Sequence, residues 1–115
     1  MHEVSLVHAL FDQTDRAIGP HPRGALRQVT LRIGELAGVE CELFRTAFEA
    51  CKGERGYPAA ALEIVEERAV WRCGDCSAAV APGGPLRCPE CDGGARLCAG
   101  GELILQRLEL EVVDV

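Results

Sequence analysis

The chain has 115 residues, 48% apolar but only 4% aromatic, which allows one modest domain whose core is drawn mostly from Leu, Val, Ile and Ala. Its 18 acidic residues outnumber 12 basic ones, a formal charge of -6, which argues against a general nucleic-acid binder and against docking on anionic membranes. No stretch reaches the roughly 20 apolar residues of a membrane helix, and no basic-then-apolar leader opens the chain, so a cytoplasmic protein is expected.

Residues 4–18 have the spacing of an amphipathic helix. Val4, Val7, Phe11 and Ile18 form one stripe, widened by Leu6, Leu10 and Ala17, with Asp12, Gln13, Asp15 and Arg16 on the wet side. The stretch GPHPRG (19–24) ends it, because its prolines and glycines cannot continue a helix. QVTLRIG (28–34) alternates as a half-buried strand with Val29, Leu31 and Ile33 on one face. A second helix is expected from Glu40 to Cys51, with Leu43, Phe44, Ala47, Phe48 and Cys51 at helical spacing, and KGERGYP (52–58) breaks it. ALEIVEERAVW (61–71) is the second strand, with a phase slip around Val65 to Glu67 that predicts a bulge or a twist. ELILQRLELEVV (102–113) is the third, with Ile104, Leu108, Leu110 and Val112 on one face.

Residues 73–101 differ: five cysteines, seven glycines, three prolines and few large apolar groups. Such a segment cannot build its own core and needs a staple. Cysteines lie at 41, 51, 73, 76, 88, 91 and 98. An odd number without an export signal fits a disulfide framework poorly and points to metal ligation. CGDC and CPEC, eleven residues apart, each turn two thiolates onto one ion, and together they supply a tetrahedral set for Zn²⁺. The expected ligands are Cys73, Cys76, Cys88 and Cys91. Four thiolates close the coordination sphere, so the site reads as structural and its binding energy as folding energy. Rubredoxin-like iron and two redox disulfides are the alternatives. Cys98 is either a competitor for the metal or a small buried hydrophobe, and Cys41 and Cys51 read as structural.

MHEVSL opens the chain with an imidazole and a carboxylate directly after Met1. HEVSLVH is not H-E-x-x-H, since His8 follows His2 by six residues and the two cannot share a helical face. His8 reads as a boundary residue and His21, between two prolines, as solvated. With Met1 retained, its amine, the His2 amide nitrogen and the His2 imidazole can chelate one ion through small fused rings. That nitrogen-rich set suits Ni²⁺ or Cu²⁺, and Glu3 adds an oxygen. The other reading of these residues is an ordinary disordered terminus.

Taken in order, MHEVSL, LRIGELAGVE (31–40), FRTAFE (44–49), the two CxxC pairs and GELILQRLELEV (101–112) give a chain that resembles the HypA/HybF family of hydrogenase nickel-incorporation proteins. The resemblance implies a nickel metallochaperone with one Ni²⁺ at the N-terminus and one structural Zn²⁺ at the four cysteines. It implies His2 as principal nickel ligand with the Met1 amine, Glu3 in support and Glu40 as a further ligand or neighbour. It also implies a HypB-type GTPase partner and delivery to the [NiFe] hydrogenase large subunit, and in some bacteria to urease maturation proteins. The loop GPHPRGALRQV with its His21, and Cys41, Cys51 and Cys98, depart from the family pattern.

The expected architecture is α/β: a small three-stranded sheet with two helices, and a four-cysteine zinc-ribbon module inserted before the last strand. Residues 1–72 and 99–115 form the nickel-binding domain and 73–98 the zinc module, with Gly100–Gly101 as a join about which the module shifts. Inside 73–98, Arg87 and Arg96 face Asp75, Glu90 and Asp92, so the module is not basic and nucleic acid is not an expected partner. A zinc-ribbon protein-binding adaptor without nickel delivery is the alternative function. No enzyme is expected, since no nucleophile has a base in range and no G-x-x-x-x-G-K-[ST] loop is present to hydrolyse GTP.

Overall fold

Apolar residues three and four apart, an acidic first turn and a basic last turn favour a helix at the start of the chain. The computed structural model describes residues 2–112, and of His2 only the backbone. The first helix, α1, spans His2–Ile18 and buries Val7, Leu10, Phe11, Thr14 and Ile18. Thr14 takes the place in the stripe expected of aliphatic residues, because its hydroxyl donates to the Leu10 carbonyl at 2.8 Å and is thereby satisfied without water. Val4 and Ala17 are exposed instead. Gly19, at φ +57°, provides the left-handed residue that stops the helix.

A single 3-10 turn, Arg23–Ala25, leads into the strand β1, Leu26–Gly34. The helix α2, Cys41–Cys51, buries Phe44, Ala47 and Phe48 and leaves Leu43 exposed. Strands β2 (Ala61–Glu67) and β6 (Leu103–Leu110) flank β1 in a three-stranded sheet of order β2-β1-β6. Strands β3 (Val70–Cys73), β4 (Ala79–Val80) and β5 (Ala95–Ala99) form a second, antiparallel sheet of order β4-β3-β5. Two helices, a small three-stranded sheet and a cysteine unit before the last strand are therefore present as expected, and the cysteine unit carries a sheet of its own.

The stretch expected as one strand over 61–71 is two strands in two sheets. Glu66, Glu67 and Arg68 offer no apolar face to continue burial. The Ala69 N–H leaves any ladder to donate to Glu35 Oε1 at 2.6 Å. Burial in β2 changes phase at Val65–Glu66, where the slip is expected, and a separate irregularity lies between Val70 and Trp71 in the pairing of β3 with β5. In β6 the burial alternation changes phase around Gln106–Arg107, so Ile104 is exposed rather than aligned with Leu108.

The described residues divide into two compact units: one holds the chain up to Leu31, Val39–Val65 and the part from Ile104, the other Arg32–Gly38 and Glu66–Leu103. The core of the first unit is mostly aliphatic, as expected, with Val7, Leu10, Ile18, Leu26, Val29, Leu31, Ala47 and Ala60 buried, and it also holds an aromatic stack. Phe11 stacks on Phe48 at 5.2 Å and on Tyr57 at 5.6 Å between centroids, and each such pair adds roughly 0.5–1.5 kcal/mol beyond the area it buries. Arg55 lies over Phe11 and Arg23 over Tyr57. The Tyr57 hydroxyl donates to Asp15 Oδ1 at 2.5 Å, and Arg55 donates to Asp15 Oδ2 at 3.1 Å and Asp12 Oδ1 at 2.7 Å. Burial alone would raise the Asp15 carboxyl, but these hydrogen bonds and the charges of Arg23 and Arg55 outweigh it and hold it below its ordinary value. Burial and the same hydrogen bond push Tyr57 up to about 12.

In the second unit, Gly34 N–H donates to the Glu102 carbonyl, Glu35 N–H to Glu67 and Leu36 N–H to Gly100, at 2.8–2.9 Å. A methyl at Gly34 would fall on the Gly100 carbonyl, and one at Gly100, itself at φ +89°, would lie 2.6 Å from Ala69 Cα. The glycine-rich join at Gly100 is thus a close backbone crossing, further held by Gly100 N–H on Glu67 Oε1 at 3.1 Å. Gly34→Ala is expected to lower the unfolding free energy by roughly 2–4 kcal/mol, because the atoms it meets are backbone. Gly24→Ala, which meets nothing within 4 Å, should change it by less than about 0.5 kcal/mol. Urea titrations of both variants measure the difference.

Candidate metal centres

Cys73 is the last residue of β3, and Cys76 follows in the turn after it. Cys88 and Cys91 occupy an equivalent turn before β5. The two turns repeat each other bond for bond. Cys73 N–H donates to the Ala78 carbonyl and Ser77 N–H to Cys73; Cys88 N–H donates to Gly93 and Asp92 N–H to Cys88, all at 2.8–3.1 Å. Ser77 and Asp92, each directly after the second cysteine, sit at φ +63° and +60°. Gly74 N–H donates to Gly94 at 3.0 Å and Ala95 N–H to Leu86 at 3.0 Å, joining the two turns at their base.

The four sulfurs lie within 4.8 Å of one another. Cys73–Cys91 is 3.4 Å, Cys76–Cys88 3.6 Å and Cys76–Cys91 3.7 Å. A tetrahedron with Zn–S bonds of about 2.3 Å has sulfurs about 3.8 Å apart, so these distances suit a shared ion and not disulfides. None of the seven cysteines is held in a disulfide. Backbone N–H groups of Asp75 and Cys76 reach Cys73 Sγ at 3.3 and 3.5 Å, and Glu90 N–H reaches Cys88 Sγ at 3.4 Å. The Cys76 and Asp75 amides hold the Cys73 thiol down to about 7. At Cys91 the Gly93 amide favours the thiolate, but the sulfurs of Cys73 and Cys76 outweigh it and push the group up to about 12. Four thiolates this close cannot all ionise unless a cation sits among them, and a dication with soft-ligand affinity meets that need.

The remaining candidates lie outside that cluster. Cys98 is exposed on β5, with its thiol toward the Arg96 carbonyl at 3.9 Å, and is outside the four-sulfur cluster. Cys41 and Cys51 begin and end α2, both half-buried. His8 is half-buried, with its Nδ1 3.1 Å from Arg55 Nη1 and its Nε2 3.9 Å from Cys51 Sγ. His21 is exposed beside Arg27 and Glu111.

Of the residues expected to hold nickel, Met1 and the His2 side chain lie outside the described residues, and the His2 backbone opens α1. Glu3, in the first turn of α1, is half-buried, and its Oε2 accepts from the Glu40 N–H at 3.4 Å. Glu40 is the residue before α2, and its own side chain makes no cap there. A carboxylate from one helix start thus meets the start of another, where the dipole of α2 favours negative charge.

The turn residues Ser77, Asp92 and Gly93 and the carboxylate of Asp75 were not singled out by the cysteine spacing. Asp after the second cysteine was the available signal, since Asp tolerates left-handed backbone. A methyl at Gly93 would lie 2.5 Å from Asp75 Oδ2 and 3.0 Å from Cys73 Sγ. Gly93→Ala should therefore weaken metal binding by more than about tenfold. Gly84→Ala, which meets nothing within 4 Å, should leave it unchanged. Competition with a chromogenic chelator reads both.

A family model described as "Hydrogenase/urease nickel incorporation, metallochaperone, hypA" matches residues 1–110. The chain is 34% identical over 113 residues to the hydrogenase maturation factor HypA of Shewanella halifaxensis, covering 96% of this chain and 98% of that one. It is 34% identical over 117 residues to HypA of Beijerinckia indica, covering 96% and 99%. The solution structure of the Ni metallochaperone HypA from Helicobacter pylori matches with a TM-score of 0.70 at 28% identity, covering 94% of this chain and 96% of that one. A solution structure of a HypA protein matches with a TM-score of 0.76 at 29% identity, covering 96% and 97%.

Proposed function

The chain belongs to the HypA family of hydrogenase/urease nickel-incorporation metallochaperones, and from that premise we propose that it carries Ni²⁺ as cargo at its N-terminus and delivers it in [NiFe] hydrogenase maturation. Urease, named in the family's description, is the second destination. Residues 1–72 and 99–115 carry the nickel, and 73–98 hold one structural Zn²⁺ at Cys73, Cys76, Cys88 and Cys91. A HypB-type GTPase partner supplies the nucleotide hydrolysis that this chain has no phosphate loop to perform, and the hydrogenase large subunit receives the metal, in the cytoplasm.

The Met1 amine, the His2 amide and the His2 imidazole form the nickel-binding set, with Glu3 and Glu40 beside it. The observation that carries this reading is the Glu3–Glu40 contact, which brings two residues 37 positions apart together at the start of α1. At 3.4 Å it is a weak hydrogen bond, so Glu3 can exchange it for a metal bond at little cost. Nitrogen donors with one or two carboxylate oxygens suit Ni²⁺, whereas the four clustered thiolates suit Zn²⁺, so each ion has its own donor chemistry.

Nickel titration of three forms tests the proposal: the native terminus, His2→Ala, and a chain with residues added before Met1. The native form should bind one Ni²⁺, and both altered forms should bind it more than about tenfold less tightly. Zinc content should stay the same in all three. Equal nickel binding by all three contradicts the terminal site.

A further inference from the structure

The four sulfurs of the metal cluster are not equivalent. Cys73 is fully buried and Cys88 is 4% exposed, whereas Cys76 and Cys91 are both exposed. One exposed sulfur belongs to each turn, and the two lie 3.7 Å apart. The other close pairs, Cys73–Cys91 and Cys76–Cys88, each join a buried sulfur to an exposed one. Cys76–Cys91 is therefore the close pair in which an oxidant from solvent reaches both partners.

Resting on the zinc assignment proposed above, we infer that Cys76 and Cys91 are a peroxide-sensitive pair whose disulfide releases the zinc. The thiolate of one attacks an oxygen of the hydroperoxide, the O–O bond breaks, hydroxide leaves and a sulfenic acid remains on sulfur. The second thiolate attacks that sulfur, the S–S bond forms and a second hydroxide leaves. Two protons from solvent convert the hydroxides to water. The pair loses two electrons, the peroxide gains them, and Zn²⁺ keeps its oxidation state throughout. The sulfurs close from 3.7 Å to about 2.05 Å. The ion is left with Cys73 and Cys88 alone, and a structural site needs four donors to hold zinc.

The buried sulfurs are protected twice over. Little or no solvent reaches them, and backbone N–H groups, two at Cys73 Sγ and one at Cys88 Sγ, lower the electron density on sulfur. Oxidation therefore starts at the surface and leaves Cys73 and Cys88 as free thiols, so a reductant and fresh zinc restore the site. The remaining thiols, those of Cys41, Cys51 and Cys98, lie outside the cluster.

The test uses the full zinc-loaded chain carrying Cys98→Ser, so that the other exposed thiol does not consume oxidant. Hydrogen peroxide is added in sub-stoichiometric steps, zinc release is followed with a chromogenic chelator, and free thiols are alkylated before non-reducing peptide mapping. Zinc should appear in proportion to peroxide, the first disulfide should join Cys76 to Cys91, and Cys73 and Cys88 should be alkylated. Reductant and zinc should reverse the change. A first disulfide that includes Cys73 or Cys88, or zinc retained while other thiols oxidise, overturns the inference and leaves the zinc assignment standing. A chain that holds no zinc at the outset overturns both.

Discussion

Four sulfurs that would repel one another as thiolates converge within 4.8 Å, and the unit around them has little else to fold on. Among the described residues of that unit, the buried apolar set is Ile33, Cys73, Val80 and Cys88, so half of it belongs to the sulfur cluster. Its sheet has one strand of two residues and a knuckle on either side of it. Hydrophobic burial on that scale does not offset the entropy of ordering such a segment. A shared dication changes the balance, because it turns the mutual repulsion of the sulfurs into four bonds that fix both turns at once. The two turns are built alike, down to a left-handed residue after the second cysteine, because each must aim two sulfurs at the same point.

The other unit is organised by different physics. All three phenylalanines and the single tyrosine are fully buried in it. The stack of Phe11, Phe48 and Tyr57 is sealed by Arg55 and Arg23 from the connections beside α1 and α2, and by the Asp15–Tyr57 hydrogen bond. This arrangement sets where α1 runs and therefore where its first turn ends up. Glu3 reaches the start of α2 from there, so the Glu3–Glu40 contact is positioned by a core it takes no part in. Stability in this unit comes from aliphatic and aromatic burial together with charge-assisted hydrogen bonds, which need no metal.

Much of this was legible in the sequence, for identifiable reasons. Helical spacing located α1 and α2 to within two residues, and alternation located β1, because one buried face imposes a period. Paired CxxC turns announced a four-sulfur site because each such turn aims two thiols at one point. Thr14 was not legible as a core residue, since its burial depends on a backbone carbonyl four residues back. The break between β2 and β3 was not legible either: it depends on Glu35 capturing the Ala69 amide from 34 positions away. The tight crossing of Gly34 and Gly100 is likewise a product of tertiary structure, and the glycine run by itself suggests the opposite, a loose join.

The central claim is that a metal at Cys73, Cys76, Cys88 and Cys91 supplies the folding energy of its own unit and not that of the aromatic unit. Amide hydrogen exchange before and after removal of the metal with a strong chelator tests it most directly. Protection over β3, β4 and β5 should be lost while protection over α1 and α2 is retained. Unchanged protection of β3 to β5 in metal-free protein would contradict it, as would the simultaneous loss of protection in both units.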